Sequence, residues 1–213
     1  IPLRLVGSEM CIRDSPSNGA DLKGLMKAAY LDPNPILILE HKGLYWSKIP
    51  GTENAKTIEP DENYILPIGK ACKVIEAEEK HEKSGESLVI ITYGRGVYWS
   101  LEASKSFAGK IEILDLRTLS PIDEDQILKS VKKHGKSLIV TEEPSSASFS
   151  IGIAGFIQEN CFEFLDAPVK IIGSENTPAI PLNENLEFTY LPNANKVQKA
   201  ISVSYTHLRA HET

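Results

Sequence analysis

The stretch that decides the fold is residues 87–96, which read Ser-Leu-Val-Ile-Ile-Thr-Tyr-Gly-Arg-Gly. Residues 87–92 are mostly apolar and β-branched, a composition typical of a strand. Gly94-Arg95-Gly96 then predicts a turn, and the residues that follow predict a helix through about Phe107. A strand that passes through a short turn into a helix is the repeating unit of α/β proteins.

The same unit recurs along the rest of the chain, where strand and helix patterns alternate. This alternation predicts an α/β fold with a parallel or mostly parallel sheet and helices on both of its faces. Further strands are expected at residues 111–116, 137–141 and 169–172, and helices at about 120–135, 149–164 and 194–201.

The helix expected after residue 120 carries signals for both of its ends. Ser120 suits the N-cap, Pro121 the first turn and Asp123 the positive end of the helix dipole. Gly135 supplies the stop. The basic residues at the negative end are Lys129, Lys132, Lys133 and His134.

The N-terminal part has a different pattern. Residues 17–31 predict an amphipathic helix with Asn18 as N-cap, and the Asp32-Pro33-Asn34-Pro35 sequence must end it. Residues 36–39 predict a short strand covered on both faces. Residues 47–66 hold proline, glycine and charges without periodicity, so we interpret them as a linker between two compact pieces.

Composition excludes several classes of protein. The chain has 213 residues, 41% of them apolar, and a formal net charge of −6. It has no apolar run of about 18 residues that could span a membrane, and the acidic balance argues against a nucleic-acid partner. Its three cysteines, Cys11, Cys72 and Cys161, form no C-x-x-C pair. We therefore expect no disulfide framework and a cytoplasmic location.

Candidate chemical motifs are few. Gly135-Lys136-Ser137 matches only the tail of a phosphate-binding loop and precedes a strand instead of following one. Gly94-Arg95-Gly96 lacks the third glycine of a dinucleotide fingerprint; a plain turn is favoured over an anion site. Glu142 and Glu143 end a predicted strand, where a general acid or base is conceivable but a loop role is favoured.

Two other clusters follow predicted elements of the N-terminal part. Glu40-His41-Lys42 suits anion binding or proton transfer, although a structural role is favoured. Asp32 and Asn34 follow a helix C-terminus, where free carbonyls accumulate, and oxygen ligands of this kind suit a hard cation. On spacing alone, an ordinary helix stop is the favoured interpretation of Asp32 and Asn34.

The two ends of the chain do not continue the patterns beside them. Residues 6–14 can be encoded by GTG GGC TCG GAG ATG TGT ATA AGA GAC, and the reverse complement of that DNA encodes residues 203–211. This DNA is similar to a transposon-end adapter of sequencing libraries. We therefore interpret residues 1–15 and 203–213 as translated adapter around a genuine insert, with a pair of natural tails as the alternative. This removes Cys11, His207 and His211 from any site argument.

Several short words of the insert are specific in order and spacing, and together they cover about residues 16–201. They are ADLKGL at 20–25, DPNP at 32–35, LEHKGLY at 39–45, LPIGKA at 66–71, ILDLRTL at 113–119 and LDAPV at 165–169. Two longer phrases are YWSKIPGT at 45–52 and GSENTPAIPLN at 173–183.

In these words the insert resembles the beta part of the thiamine-diphosphate-dependent component of 2-oxo acid dehydrogenase complexes. The two phrases resemble the bacterial form in which alpha and beta parts are fused, usually assigned to branched-chain or related 2-oxo acids. The resemblance implies that residues 16–46 end a pyrimidine-binding domain. It also implies that residues 67–201 form a transketolase C-terminal domain, a three-layer α/β/α unit with a five-stranded mixed sheet.

The same resemblance implies what the chain would do. The parent protein would decarboxylate a 2-oxo acid oxidatively and pass the acyl group to a lipoyl arm. The residues that activate thiamine diphosphate would lie upstream, and the alpha part would hold the diphosphate and its magnesium. No catalytic or cofactor-binding residue is therefore assigned, and the chain alone is expected to be an inactive scaffold.

The resemblance also implies one site and several partners. A structural potassium ion would use the backbone carbonyl of Ala29 together with Asp32 and Asn34, which shifts the preference for these residues toward a cation role. The expected partners are the alpha part, a second beta part and the lipoyl acyltransferase core. Two alternatives stay open: a transketolase-like sugar-phosphate enzyme, and a stand-alone interaction domain without catalytic role.

Overall fold

The computed structural model describes residues 12–146 and 148–209. Its strands are β1 Ile12–Asp14, β2 Ile36–Ile38, β3 Cys72–Ile75, β4 Leu88–Thr92, β5 Ile111–Asp115, β6 Thr118–Ser120, β7 Ser137–Pro144 and β8 Lys170–Ser174. Its α-helices are α1 Gly19–Leu31, α2 Glu79–Lys83, α3 Gly96–Ser104, α4 Glu124–His134, α5 Phe149–Cys161, α6 Glu184–Tyr190 and α7 Ala194–Arg209. Short 3-10 helices lie at Lys42–Leu44, Glu53–Ala55, Lys105–Phe107 and Phe162–Phe164.

The described chain divides into two compact units. The first unit takes in residues up to 72 together with 93–95 and 115–123, and the second unit takes in 73–92, 96–114 and 124 onward. Within 47–66, the predicted linker, the structure has only the 3-10 helix Glu53–Ala55. The boundaries expected from sequence stay a prediction.

The second unit is built on a five-stranded mixed sheet with the strand order β3-β5-β4-β7-β8. β4 is parallel to β7, and β7 is parallel to β8. Every residue of β4 and β5 is buried. The predicted α/β class is confirmed.

One face of this sheet is covered by α3 and α7, which contact each other. Alternate residues of the strands supply the core there, as the two-residue period of a strand requires. The buried cluster comprises Leu88, Ile90, Trp99, Ala103, Ile111, Ile113, Leu138, Val140, Val197, Ala200 and Ile201. α4 and α5 also contact each other and form the other helical layer.

Helix α3 approaches the sheet closely at its first residue. A Cβ atom added to Gly96 would lie 3.0 Å from the Val140 carbonyl oxygen and closer still to the Thr92 hydroxyl. The second glycine of the predicted turn is therefore needed for helix–strand packing, a role that a larger residue could not fill without moving the helix.

The first unit contains a three-stranded sheet in the order β2-β1-β6, with β1 parallel to β2 and antiparallel to β6. Helix α1 begins as predicted, because the Asn18 side chain accepts a hydrogen bond from the Asp21 amide at 2.9 Å. The expected burial of both faces at residues 36–39 is wrong. β2 is an edge strand, and Leu37 is 52% exposed.

The helix expected to begin at Ser120 begins instead at Glu124. Ser120 is the last residue of β6 and pairs with Arg13 of β1, so its N-cap assignment is wrong. The predicted stop is confirmed, because Gly135 follows α4 with a φ of 66°.

The chain ends are partly described. Residues 12–14 form β1, and α7, expected at 194–201, continues through residues 203–209. The ring of Tyr205 lies 6.0 Å from that of Phe107. Residues 1–11 and 210–213, with Cys11 and His211, lie outside the described residues, and the adapter origin stays a prediction. None of the helices in the described ranges is both long and apolar enough to cross a bilayer.

Candidate functional site

The second unit contains a buried ionic cluster centred on Glu112, which we call the Glu112 cluster. Its members are Glu112 on β5, Ser130 and His134 on α4, Ser87 before β4, and Lys73 on β3. The Glu112 side chain is 0% exposed, and so is that of His134. A buried charged residue requires such partners, because an isolated buried charge is very costly.

The contacts of Glu112 account for its ionisation. His134 Nε2 lies 3.3 Å from Glu112 Oε2, Lys73 Nζ lies 3.3 Å from the same oxygen, and the Ser130 hydroxyl donates to Oε1. Burial opposes ionisation, but the hydrogen bond from Ser130, the close approach of the His134 ring and the charge of Lys73 outweigh it. Together they lower the pKa of Glu112 to about 2.

Ser87, His134 and Glu112 have the order of a nucleophile, base and acid. His134 Nδ1 lies 2.7 Å from Ser87 Oγ, and Nε2 faces Glu112. Catalysis of this type needs a nucleophile that a substrate can reach. Ser87 is 0% exposed. Because a substrate cannot reach Ser87, the arrangement does not form a hydrolytic site. Its contacts stabilise the packing of α4 against β4 and β5.

The first unit contains a second buried polar group, which we call the Arg117 cluster. Its members are Ser17, Asp21, Asp115 and Arg117. Arg117 has a φ of 57°. Its guanidinium donates to Asp21 Oδ1 at 3.4 Å, to the Lys70 carbonyl at 3.1 Å and to the Ala71 carbonyl at 3.2 Å.

Asp115, two residues before this arginine in the chain, accepts two hydrogen bonds. The Ser17 hydroxyl donates to Oδ2 at 2.6 Å, and the Arg117 amide donates to Oδ1 at 3.1 Å. Burial raises the pKa of Asp115 from 3.8 to about 7, with a further contribution from Asp21, against the lowering effect of these hydrogen bonds and of the Arg117 charge.

The predicted cation ligands lie together at the end of α1. The Asp32 amide donates to the Ala28 carbonyl at 3.1 Å, and Asp32 Oδ1 accepts from both nitrogens of Asn34 at 2.9 Å. The Ala29 carbonyl would ordinarily accept from residue 33, but Pro33 has no amide hydrogen. The potassium site at Ala29, Asp32 and Asn34 stays a prediction.

The Glu40-His41-Lys42 sequence borders a pocket in the first unit. The pocket has a volume of about 240 Å³. Its lining combines polar groups of Glu40 and His41 with the apolar side chains of Leu22 and Leu44. Lys42 begins the 3-10 helix Lys42–Leu44 and is not part of the lining.

Two residues of the remaining motifs, Glu143 and Lys136, make contacts within the fold. Glu143 accepts a hydrogen bond from the Phe149 amide at 2.9 Å, at the start of α5. Lys136 is almost completely buried, with its Nζ 2.5 Å from the Gly85 carbonyl oxygen and 3.2 Å from Asp166 Oδ2. These contacts hold a loop against the sheet, and they leave Lys136 unable to bind a phosphate.

A magnesium-bound diphosphate requires several acidic or amide ligands that converge on one point. Within residues 12–146 and 148–209, no group of three histidine, cysteine, aspartate or glutamate side chains is arranged to hold a metal ion. The residues in these ranges therefore do not fit such a group.

The two buried clusters were missed in the sequence because their members are far apart along the chain. Ser17 and Asp115 are separated by 98 positions, and Ser87 and His134 by 47. One signal was available: Glu112 and Asp115 both interrupt the apolar run at 111–116 and must have partners inside the fold.

Residues 77–197 match the family described as transketolase, C-terminal domain. The chain is 35% identical over 189 residues to the 2-oxoisovalerate dehydrogenase subunit beta of Bacillus subtilis strain 168, covering 87% of this chain and 53% of that protein. It is 32% identical to the pyruvate dehydrogenase E1 component subunit beta of Rhizobium meliloti strain 1021, covering 87% and 38%.

A third relative has another activity in its name. The acetoin:2,6-dichlorophenolindophenol oxidoreductase subunit beta of Bacillus subtilis strain 168 is 34% identical, covering 85% of this chain and 49% of that protein. The chain thus spans about half the length of the curated relatives it matches.

A solved structure described as a split gene transketolase, inactive beta4 tetramer, has a similar fold. Its TM-score is 0.68 at 18% identity, covering 92% of this chain and 57% of that one. The family match extends over more than half of the chain. The chain therefore belongs to the transketolase C-terminal domain family, and its sequence is similar to the beta subunits of 2-oxo acid dehydrogenases.

Proposed function

We propose that this chain is part of the beta portion of a thiamine-diphosphate-dependent 2-oxo acid dehydrogenase. The parent protein would decarboxylate a 2-oxo acid oxidatively and transfer the acyl group to a lipoyl group. The observation that carries this proposal is the extent of the similarity, since 35% identity over 189 residues continues well beyond the domain at 77–197. A shared C-terminal domain alone would not produce it.

The contribution of this chain would be a scaffold. Its first unit is held by a network of buried hydrogen bonds, and its second unit by an apolar core against the five-stranded sheet. We propose that this scaffold contacts the alpha part, a second beta part and the acyltransferase core. The free cysteines Cys72 and Cys161 suit the reducing cytoplasm that we propose as its location.

Two measurements test this function. Genomic DNA upstream of Pro16 should continue in frame into a cofactor-binding half. A start codon and promoter there would instead support a stand-alone interaction domain. Calorimetry of this chain with thiamine diphosphate and Mg²⁺ should show no binding at micromolar concentration. Micromolar binding would contradict the claim that this chain is an inactive scaffold.

The substrate can be identified only by assaying the parent protein. Its activity should be compared on 3-methyl-2-oxobutanoate, pyruvate and acetoin, because relatives with these three kinds of name are 32–35% identical to this chain. Turnover of either 2-oxo acid supports the proposal, whereas turnover of a ketose phosphate would favour the transketolase alternative.

We also propose that Ala29, Asp32 and Asn34 bind K⁺. At equal ionic strength, KCl should raise the melting temperature above that in choline chloride, and Asp32→Ala should remove the difference. Asp61→Ala is a matched control, because Asp61 accepts from the Asn63 amide at 2.7 Å in a similar turn away from any helix end. Equal melting temperatures in the two salts would contradict a potassium site.

A further inference from the structure

Residues 175–189 of the second unit form an exposed loop that is closed at its base, which we call the 175–189 loop. Every residue in it except the half-buried Pro181 is exposed. The Glu175 amide donates to the carbonyl of the buried Tyr190 at 3.1 Å, which joins the two ends. Helix α6 lies inside the loop, and the Asn183 side chain accepts from two amides of its first turn. The loop is therefore ordered by its own contacts, as in Ω-loops, which are frequently functional.

The side chains of this loop are apolar and acidic. Four large apolar side chains are 59–102% exposed, namely Ile180, Leu182, Leu186 and Phe188. The loop also holds Glu175, Glu184 and Glu187, and residues 171–195 contain no lysine, arginine or histidine. Exposed apolar side chains bordered by charge are typical of an interaction site. A surface that binds this loop should combine apolar side chains with positive charge.

The first unit contains a groove that runs along α1. The pocket of about 240 Å³ described above adjoins a second pocket of about 540 Å³, because Gly19, Leu22 and Thr57 line both. We call the two pockets together the α1 groove.

The α1 groove has the chemistry that the 175–189 loop requires. Lys23 and Glu59 in its lining pair with each other at 2.8 Å. The other lysines of the lining are Lys27 and Lys56, and the other carboxylate is Glu40, so the groove has a positive balance. Its apolar lining includes Leu22, Met26, Leu44 and Tyr45.

We propose that the 175–189 loop of one chain docks in the α1 groove of a second copy of this chain. The apolar side chains of the loop would lie in the groove, with Glu184 and Glu187 near Lys27 and Lys56. Two loops would repel each other, because both are acidic, so the groove is the favoured partner. Since loop and groove are different surfaces, the contact is heterologous and builds rings or longer assemblies.

Sedimentation velocity of the whole chain tests this contact. In about 50 mM NaCl the chain should self-associate at micromolar concentration, and about 500 mM NaCl should weaken this about fivefold by screening the charges. Leu182→Ser combined with Phe188→Ser should abolish it, since both side chains are fully or largely exposed in the loop. Phe162→Ser is the matched control, because Phe162 is 69% exposed in the same unit but lies outside the loop. A chain that stays monomeric throughout, or an equal loss in Phe162→Ser, would overturn the proposal.

Charge reversal identifies the surface that the loop meets. A groove variant with Lys27→Glu and Lys56→Glu should associate about tenfold more weakly, and so should a loop variant with Glu184→Lys and Glu187→Lys. An equimolar mixture of the two variants should recover association, because each loop then faces a groove of opposite charge. Wild-type association of the groove variant alone would show that the loop meets another surface and would reject the proposal, as would a monomeric mixture. Failure of this contact would leave the proposed reaction untouched, because that reaction is tested by turnover of the parent protein.

Discussion

Glu112 and Asp115 lie three residues apart on β5, and both are buried, yet their pKa values move in opposite directions. Glu112 has a pKa of about 2 and Asp115 a pKa of about 7. Burial raises both. The difference comes from the partners, because Glu112 faces His134 and Lys73, whereas Asp115 shares Arg117 with Asp21. The charge of the surroundings, and not depth alone, sets the ionisation of a buried acid.

The two acids make stability depend on pH with opposite signs. A lowered pKa means that Glu112 contributes stability above pH 4.5, which is lost as the pH falls toward 2. A raised pKa means that Asp115 costs stability as the pH rises from 3.8 to about 7. From these two groups alone, stability should be greatest between about pH 4 and 5.

The largest expected effect is that of Glu112→Gln. This change removes the buried carboxylate that His134 and Lys73 face, and removal of one partner of a buried pair costs about 3–5 kcal/mol. Urea unfolding should be followed through the fluorescence of the buried Trp99 in a Trp46→Phe background, since Trp46 is 73% exposed.

A second His–Glu pair provides the matched control for this variant. His81 and Glu86 lie 3.2 Å apart, but their side chains are 17% and 52% exposed. Glu86→Gln should lower the free energy of unfolding much less than Glu112→Gln does, because solvent screens an exposed pair. Equal losses in Glu112→Gln and Glu86→Gln would show that burial of the Glu112 pair has no energetic consequence.

A smaller effect on the free energy of unfolding is expected from the titration of Asp115, the last residue of β5. Between pH 5 and pH 8 the free energy of unfolding should fall by about 3 kcal/mol as Asp115 ionises in the folded state. Asp115→Asn should flatten this decline, as measured by urea unfolding with far-ultraviolet circular dichroism at each pH. Parallel pH profiles for the two proteins would assign the decline to other groups.

The smallest losses of stability are expected when Ser130 or Ser17, the serines that donate to Glu112 and Asp115, is replaced by alanine. At pH 6, Ser130→Ala should cost about 2 kcal/mol, because its acceptor, Glu112, is ionised. Ser17→Ala should cost about 1 kcal/mol, because Asp115 is mostly protonated at that pH. Unfolding in urea measures both, and a larger loss for Ser17→Ala would reverse the assigned charge states.

Local signals in the sequence were reliable where the structure is local. Asn18 and Asp21 predicted the start of α1, and Gly135 predicted the end of α4, because caps involve residues three or four positions apart. The apolar run at 87–92 predicted a strand, because that signal also lies in consecutive residues.

Non-local contacts explain what sequence patterns could not supply. Ser120-Pro121 has the composition of a helix start, but Ser120 instead pairs with Arg13, more than a hundred positions earlier. The partners of Glu112 come from β3 and α4, and no short sequence pattern connects them. The strand Cys72–Ile75 and the helix Glu184–Tyr190 were also missed, since neither carries a clear hydrophobic period.

The buried lysine at position 136 gives the chain an internal reporter of opening. An amine-reactive reagent or trypsin must reach the Nζ atom, which Gly85 and Asp166 enclose. Exposed lysines such as Lys80 and Lys83 would be modified in the folded protein, whereas Lys136 would be modified only when the second unit opens. The fraction of chains modified at Lys136, read by mass spectrometry, would then measure how often the second unit opens, without any engineered probe.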